Sequence, residues 1–341
     1  MYLFKRLLKK KLFLAGFSFI AGCFFVSLFY FIFFDDHIPM ASLLYGENGK
    51  PLPAPYSGSV VPPFGTDEFG RNIAVVLLVG AKYTIGAALL ITVLRVVPAI
   101  FIGLFLQFFL KGFKRPLKSI ADAITYFPIT LLAFLMLNWA TREGVLMQED
   151  IPSFGMQVLL YLSVLSLIFI PLNSVLIANE VELIFRKDFI ECSRTLGAGT
   201  WRLITHHIRP FLIPQLFVIL IRDFIQTLIL MAHLGILGIF IGGTVFMENL
   251  FGRSTAASRS GEWAGALGMW WDYLWTSYPW IAFIPIIFLT LLILAAKAML
   301  DSLVTVLSSE EEVRQDESRK FVEQPRLKEL SPFQLLHSKK I

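Results

Sequence analysis

Residues 180–210 read EVELIFRKDFIECSRTLGAGTWRLITHHIRP and lie between two long apolar runs, 154–178 and 211–243. Over 181–196 the composition is helical, with Phe185, Phe189, Cys192 and Leu196 on one stripe and charges elsewhere. Gly197 and Gly199 interrupt that helix, and a second amphipathic segment leads on to Pro210. Two short helices joined at a glycine corner would lie along a membrane face and offer a knob to a partner. This charged insert decides the fold, because what flanks it can only be membrane.

A spanning helix needs about 20 mostly apolar residues. Runs of that kind cover 12–34, 81–109, 119–140, 154–178, 211–243 and 279–307. The 341-residue chain is 56% hydrophobic and 16% charged, too apolar for one water-facing globule. An all-α membrane bundle of six helices follows. A basic segment, 1–11, precedes the first helix at 12–34. Residues 35–80 form a Pro- and Gly-rich loop with an amphipathic segment. The core runs over 81–307, and 308–341 is a polar tail with a short apolar patch at Phe333, Leu335 and Leu336.

Lys and Arg orient the bundle. With the N-terminus inside, inside segments hold 21 of these residues and outside segments 6. By the positive-inside rule both termini are cytoplasmic, as is the 180–210 loop. Trp139, Trp263, Trp270, Trp271, Trp275 and Trp280 all fall near the outer boundary, where an interfacial belt is expected. Charge distribution of this kind is a membrane signal and points to no nucleic-acid partner.

Motifs for chemistry are sparse. The sequence has no phosphate-binding loop, zinc-protease helix or nucleophile elbow. His206 and His207 are neighbours and would point apart on a helix, a poor metal pair, and Cys23 and Cys192 stand far apart. No metal, cofactor or catalytic residue is expected on this chain. Charges inside the apolar runs are costly and usually face a cavity or a partner. Arg95, Arg222, Asp223 and Gln226 are therefore candidates for lining a translocation path. Arg222 and Gln226 share a helix face, and Asp223 projects about 100° away. The alternative is an internal Arg–Asp pair between the second and fifth helices.

Glu191-Cys192-Ser193, three further residues, Gly197 and then Pro210 resemble the E-A-A-x3-G loop of ATP-binding-cassette (ABC) importer permeases. Within that superfamily the chain resembles the C-type permease of oligopeptide, dipeptide and nickel importers. Phe64-Gly65-Thr66-Asp67-Glu68-Phe69-Gly70-Arg71-Asn72, Asp122 to Pro128, and Glu262-Trp263-Ala264-Gly265-Ala266 with Pro279-Trp280 match three more of its segments, in order. Here Cys192 and Ser193 stand where the family has two alanines, and Asn72 where it has Asp.

The resemblance implies the type I importer fold, six spanning helices with cytoplasmic termini, in a bacterial-type inner membrane. It implies a coupling loop that docks on an ATPase through Glu191, Cys192, Ser193, Gly197, Ala198 and Pro210, with Glu191 ordered by a nearby base. Implied partners are a second permease subunit, two ATP-binding subunits, an extracytoplasmic substrate-binding protein, a peptide substrate and membrane lipid. ATP and Mg would sit on the partner subunits. Two alternatives remain at this point: a permease-like scaffold or sensor without transport, and an importer of nickel or another small solute.

Overall fold

Among the described residues, five helices are long and apolar enough to cross a membrane: Lys11–Phe34, Ile73–Phe108, Phe154–Phe185, Thr200–Ile236 and Trp280–Ser309. A sixth crossing would be the pair Lys114–Tyr126 and Ile129–Trp139, bent by 91° at its break. The computed structural model describes residues 6–42, 44–45, 51–52, 54–146, 153–248 and 254–323. We number the helices α1 (Lys11–Phe34), α2 (Ile73–Phe108), α3 (Lys114–Tyr126), α4 (Ile129–Leu146), α5 (Phe154–Phe185), α6 (Asp188–Thr195), α7 (Arg209–Ile236), α8 (Trp263–Trp270) and α9 (Trp280–Glu323).

Three boundaries differ from the sequence expectation, each for a local reason. The helix expected from 81 begins at Ile73, because the Asn72 side chain accepts the Ala74 N–H at 3.0 Å and caps it. The run 119–140 is two helices rather than one. Pro128 excludes its predecessor from helical geometry, and Phe127 is extended at φ −91°, ψ 139°. The last helix continues to Glu323, through half of the expected tail, because the Glu-, Arg- and Lys-rich sequence favours helix. The apolar patch at Phe333, Leu335 and Leu336 lies outside the described residues.

The helices pack through small residues, as lipid-embedded bundles do where backbones must approach. A Cβ on Gly103 of α2 would lie 2.8 Å from the Ser174 carbonyl of α5. Gly235 of α7 meets Ala264 of α8 in the same way, and Gly268 of α8 meets Gly235. The main core joins α2, α5, α7 and α8 around Ile85, Leu165, Leu228 and Trp263. A second core gathers Val96 and Ala99 of α2, Ile177, Val181 and Ile184 of α5, and residues of the 180–210 loop.

The tryptophan belt is only partly where it was expected. Trp139 and Trp275 are exposed, but Trp263 and Trp270 are each 1% exposed and belong to the core. The Trp263 indole donates to the Leu77 carbonyl at 2.6 Å, so its polar atom is satisfied inside the bundle rather than at a headgroup. Nearby, the antiparallel strands β3 (Thr244–Glu248) and β4 (Ser254–Ser258) pair between α7 and α8; strands β1 (Leu44–Tyr45) and β2 (Pro51–Leu52) pair between α1 and α2.

The Phe64-to-Asn72 segment is tied down by Asp67, which is fully buried. It accepts from the Phe69 and Arg71 amides (3.0 and 2.9 Å) and from Arg71 Nε (2.7 Å). Glu68 Oε1 accepts from the Thr255 hydroxyl at 3.2 Å, which joins this segment to the β3–β4 pair.

Candidate functional site

The 180–210 loop is built from α6, a glycine corner and a widened helical turn. α5 ends at Phe185, and Lys187 is extended and starts α6, whose first turn carries Asp188 and Glu191 and whose last turn carries Arg194. Those signs suit the helix dipole. At the far end Gly197 has φ +84°, its N–H donating to the Arg194 carbonyl (3.0 Å) and the Ala198 N–H to the Ser193 carbonyl (3.0 Å). This is the left-handed Schellman termination, which favours glycine at that position. No atom lies within 4 Å of where a Gly197 Cβ would sit, so conformation rather than space makes the demand.

After Gly199 the chain makes one turn, Thr200–Arg202, and then a π-helix, Leu203–Ile208. Pro210 gives the reason for the wider turn. It has no N–H, and in α geometry its ring would crowd the His206 carbonyl. The Arg209 N–H instead reaches back five residues to the Ile204 carbonyl, and α7 begins.

Buried side chains lock the loop to the bundle: Ile190 and Ile208 are fully buried and Leu203 nearly so, all in the second core. The Phe189 and Phe211 rings stack at 5.1 Å. On the outer side Leu196 and Trp201 are 88% and 78% exposed, one on each side of the glycine corner. Of the stripe Phe185, Phe189, Cys192 and Leu196, the last two are exposed, and the fully buried residue of α6 is Ile190. The exposed Leu196–Trp201 pair went unread, although two large apolar residues bracketing a glycine turn were a usable signal. Glu191 is exposed, and among the described residues no base pairs with it, contrary to expectation. The Ser193 hydroxyl donates to the Phe189 carbonyl (2.8 Å), Ala198 packs partly against the second core, and Pro210 is exposed.

The intramembrane charges divide into two groups. Arg95 and Asp223 are both buried, with Arg95 Nη1 3.6 Å from Asp223 Oδ1. Arg95 also donates from Nε to the Leu165 carbonyl (2.9 Å) and from Nη1 to the Thr227 hydroxyl (2.8 Å), and its guanidinium lies 3.8 Å over the Phe169 ring. Asn173 Nδ2 donates to Asp223 Oδ1 at 3.3 Å. The internal Arg–Asp alternative is therefore present, and it reaches a third helix, α5. Arg222 and Gln226 face out of the bundle on α7. Among the described residues no group of His, Cys, Asp and Glu is placed to hold a metal ion.

A helical membrane bundle with an anchored, apolar-tipped loop between two of its crossings is the architecture of a membrane transport component. Residues 78–309 match the family described as binding-protein-dependent transport system inner membrane component, and the chain belongs to that family. It is a multi-pass protein of the bacterial inner membrane.

A peptide transport system permease protein of Brucella suis biovar 1 is 27% identical over 197 residues, 56% of this chain and 62% of that protein. A dipeptide transport system permease protein of Alkalihalophilus pseudofirmus is 23% identical over 236 residues, 69% of this chain and 70% of that one. A D,D-dipeptide transport system permease protein of Escherichia coli is 24% identical over 176 residues, covering 52% and 54%. The chain thus spans about 62% of the length of the Brucella relative.

Proposed function

We propose that the chain is one of two permease subunits of an ABC importer and forms half of a path for oligopeptides or dipeptides. The observation that carries this reading is the 180–210 loop: a rigid corner, packed underneath and apolar on top. The names of the relatives support peptide as the substrate class. The 21 to 6 charge bias supports a cytoplasmic loop and, with the bent pair α3–α4 counted as one crossing, cytoplasmic termini.

In this reading two ATP-binding subunits hold ATP and Mg, and a groove on one of them receives Leu196 and Trp201. Glu191, Cys192 and Ser193 face that subunit from α6. Gly197 holds the corner that Ala198 and Pro210 continue. Closure of the ATPases pushes α6, and the buried Ile190, Leu203 and Ile208 pass the push to α5 and α7. Arg222 and Gln226, turned outward on α7, face the second permease subunit across the path, while Arg95 and Asp223 hold the helices together. An extracytoplasmic binding protein delivers the peptide at the other face.

The test is copurification followed by uptake of a labelled dipeptide into proteoliposomes. The chain should bring down ATP-binding subunits, and Leu196→Asp with Trp201→Asp should abolish both the association and the uptake. A chain that copurifies with no ATPase, or that transports unchanged with both substitutions, would overturn the proposal.

A further inference from the structure

α7 has two unlike sides. Phe224, Leu228 and Met231 face inward and are buried in the main core. The opposite side exposes Arg222, Gln226, Ile229 and His233, four residues at helical spacing within an arc of about 60°. Three of the four are polar, on a helix whose remaining sequence is apolar enough to cross a membrane. At the end of this stripe far from the 180–210 loop, His233 Nδ1 lies 3.5 Å from Thr130 Oγ1, so α4 borders the stripe there.

Arg222 is the least tolerable of the three. It sits at the middle of α7, about 20 Å from either end of the helix. Half the hydrocarbon thickness is about 15 Å, farther than an arginine stem reaches. A cation at that depth needs protein or water around it and an anion to meet. Arg222 has no ion pair among the described residues. Its sequence neighbour Asp223 projects about 100° away, is buried, and is committed to Arg95 and Asn173. Asp122 of α3 is exposed, has Lys118 one turn before it on its own helix, and forms no ion pair among the described residues.

Gln226 stands about 6 Å along the helix axis from Arg222 and His233 about 17 Å, so hydrogen-bond donors recur in the direction a solute would travel. The stripe carries no acid. A fixed counter-ion on a second subunit would meet Arg222 alone and leave that recurrence without a use. A carboxylate moving along the helix meets each donor in turn, and the planar guanidinium can take both of its oxygens at once. Every unmodified peptide carries one such group, at its C-terminus.

We propose that Arg222 is a specificity-determining residue that binds the free C-terminal carboxylate of a peptide in transit. Gln226 donates beside it, and His233 meets the group at the other end of the stripe. The inference rests on the transport reading and adds the chemical feature by which the path selects. A peptide amide, with the same side chains and no negative charge at that end, should pass poorly.

The test uses the complete transporter in proteoliposomes, with its binding protein saturated, and compares uptake of labelled dialanine with that of dialanine amide. Wild type should take up the free acid roughly tenfold faster. Arg222→Gln should bring the ratio close to one by slowing the acid, and Arg222→Lys should keep part of the preference. Gln226→Leu, a milder change on the same side, should lower the ratio about threefold. The binding protein is the same in every preparation, so a changed ratio belongs to the membrane part. Equal uptake by wild type, or a ratio that Arg222→Gln and Gln226→Leu leave unchanged, would overturn the proposal. So would loss of the second permease subunit from Arg222→Gln on gel filtration while Arg222→Lys keeps it, because Arg222 would then be a counter-ion within the assembly. A wild type that imports neither compound would sink the transport reading and this inference with it, whereas an unaltered ratio sinks this inference alone.

Discussion

Arg95 sits where an apolar helix least tolerates it, and every neighbour that satisfies it comes from another helix. Asp223 and Thr227 come from α7, and Leu165 and Phe169 from α5. Removing one member of a buried pair leaves the other charge without compensation, at a cost of about 3–5 kcal/mol. Arg95→Met alone and Asp223→Asn alone should each lower the melting temperature and the folded yield in detergent. Arg95→Met with Asp223→Asn should recover part of that loss. If the single variants melt like wild type, the pair does not hold the bundle.

Glu262 gives a second residue-scale expectation. It is 1% exposed, its Oε1 accepts the Ile241 N–H at 2.9 Å, and the Ser258 and Ser260 hydroxyls contact its Oε2. Ser260 Oγ also bonds the Ile241 carbonyl at 3.0 Å, and one hydroxyl hydrogen cannot serve both. A proton on Glu262 resolves that conflict. Burial likewise pushes this carboxyl above its ordinary value, against the opposing pull of the hydroxyls and the amide. The folded chain therefore holds this proton more tightly than the unfolded chain does. Its contribution to stability is complete below the ordinary Glu range, about pH 4.3, and is lost as pH rises through the raised folded value. Melting temperature should fall with rising pH across that window, and Glu262→Gln should flatten the slope. An equal slope in both proteins would assign the pH dependence to another group.

At the scale of elements, the corner and the bend are the two decisive features, and they differ in how readable they were. Gly197 could be read as a corner because only glycine takes that conformation freely. Its replacement by Ala should cost about 1 kcal/mol at φ +84°. Gly197→Asn should cost less, since Asn tolerates the left-handed region. Chemical denaturation of the two variants, with uptake measured alongside, separates strain from loss of contact; equal damage from both would argue against the left-handed corner.

The bend at Pro128 was masked by the continuity of apolar residues over 119–140, which length alone reads as one span. Pro128→Ala should let α3 and α4 straighten. Spin labels at Ser119→Cys and Leu135→Cys should then move from about 17 Å apart toward about 24 Å. An unchanged distance would place the cause of the bend elsewhere. The charges in α2 and α7 were legible as costly, but their partners were not. Which carbonyl of α5 faces Arg95 depends on how that helix is rotated, and rotation is set by packing at Gly103 and Ser174 rather than by any local signal. The buried tryptophans escaped for a similar reason, because hydropathy cannot tell a headgroup-level indole from one covered by α8's neighbours.

For the whole molecule, the arrangement of the two cores fixes how a push on the loop travels. Ile190, Leu203 and Ile208 stand in the second core with Val96 and Ala99 of α2, which are the next residue and the next turn after Arg95. The loop is therefore continuous, through packed side chains, with the buried ion pair that joins α2, α5 and α7. Loosening the near end of this path should separate ATP hydrolysis from transport without dismantling the bundle. Ile190→Ala removes a fully buried side chain at the loop's anchor and should cost about 2–5 kcal/mol locally. Leu234→Ala removes an equally buried one from the main core, away from the loop, at a similar cost. In the importer proposed above, Ile190→Ala should leave ATP hydrolysis running while peptide uptake per ATP falls several-fold. Leu234→Ala should lower thermal stability to a like degree and leave uptake per ATP near that of wild type. If both variants change the ratio alike, the bundle transmits force diffusely and the anchored loop has no special part in it. If neither does, the loop moves independently of the helices it packs against.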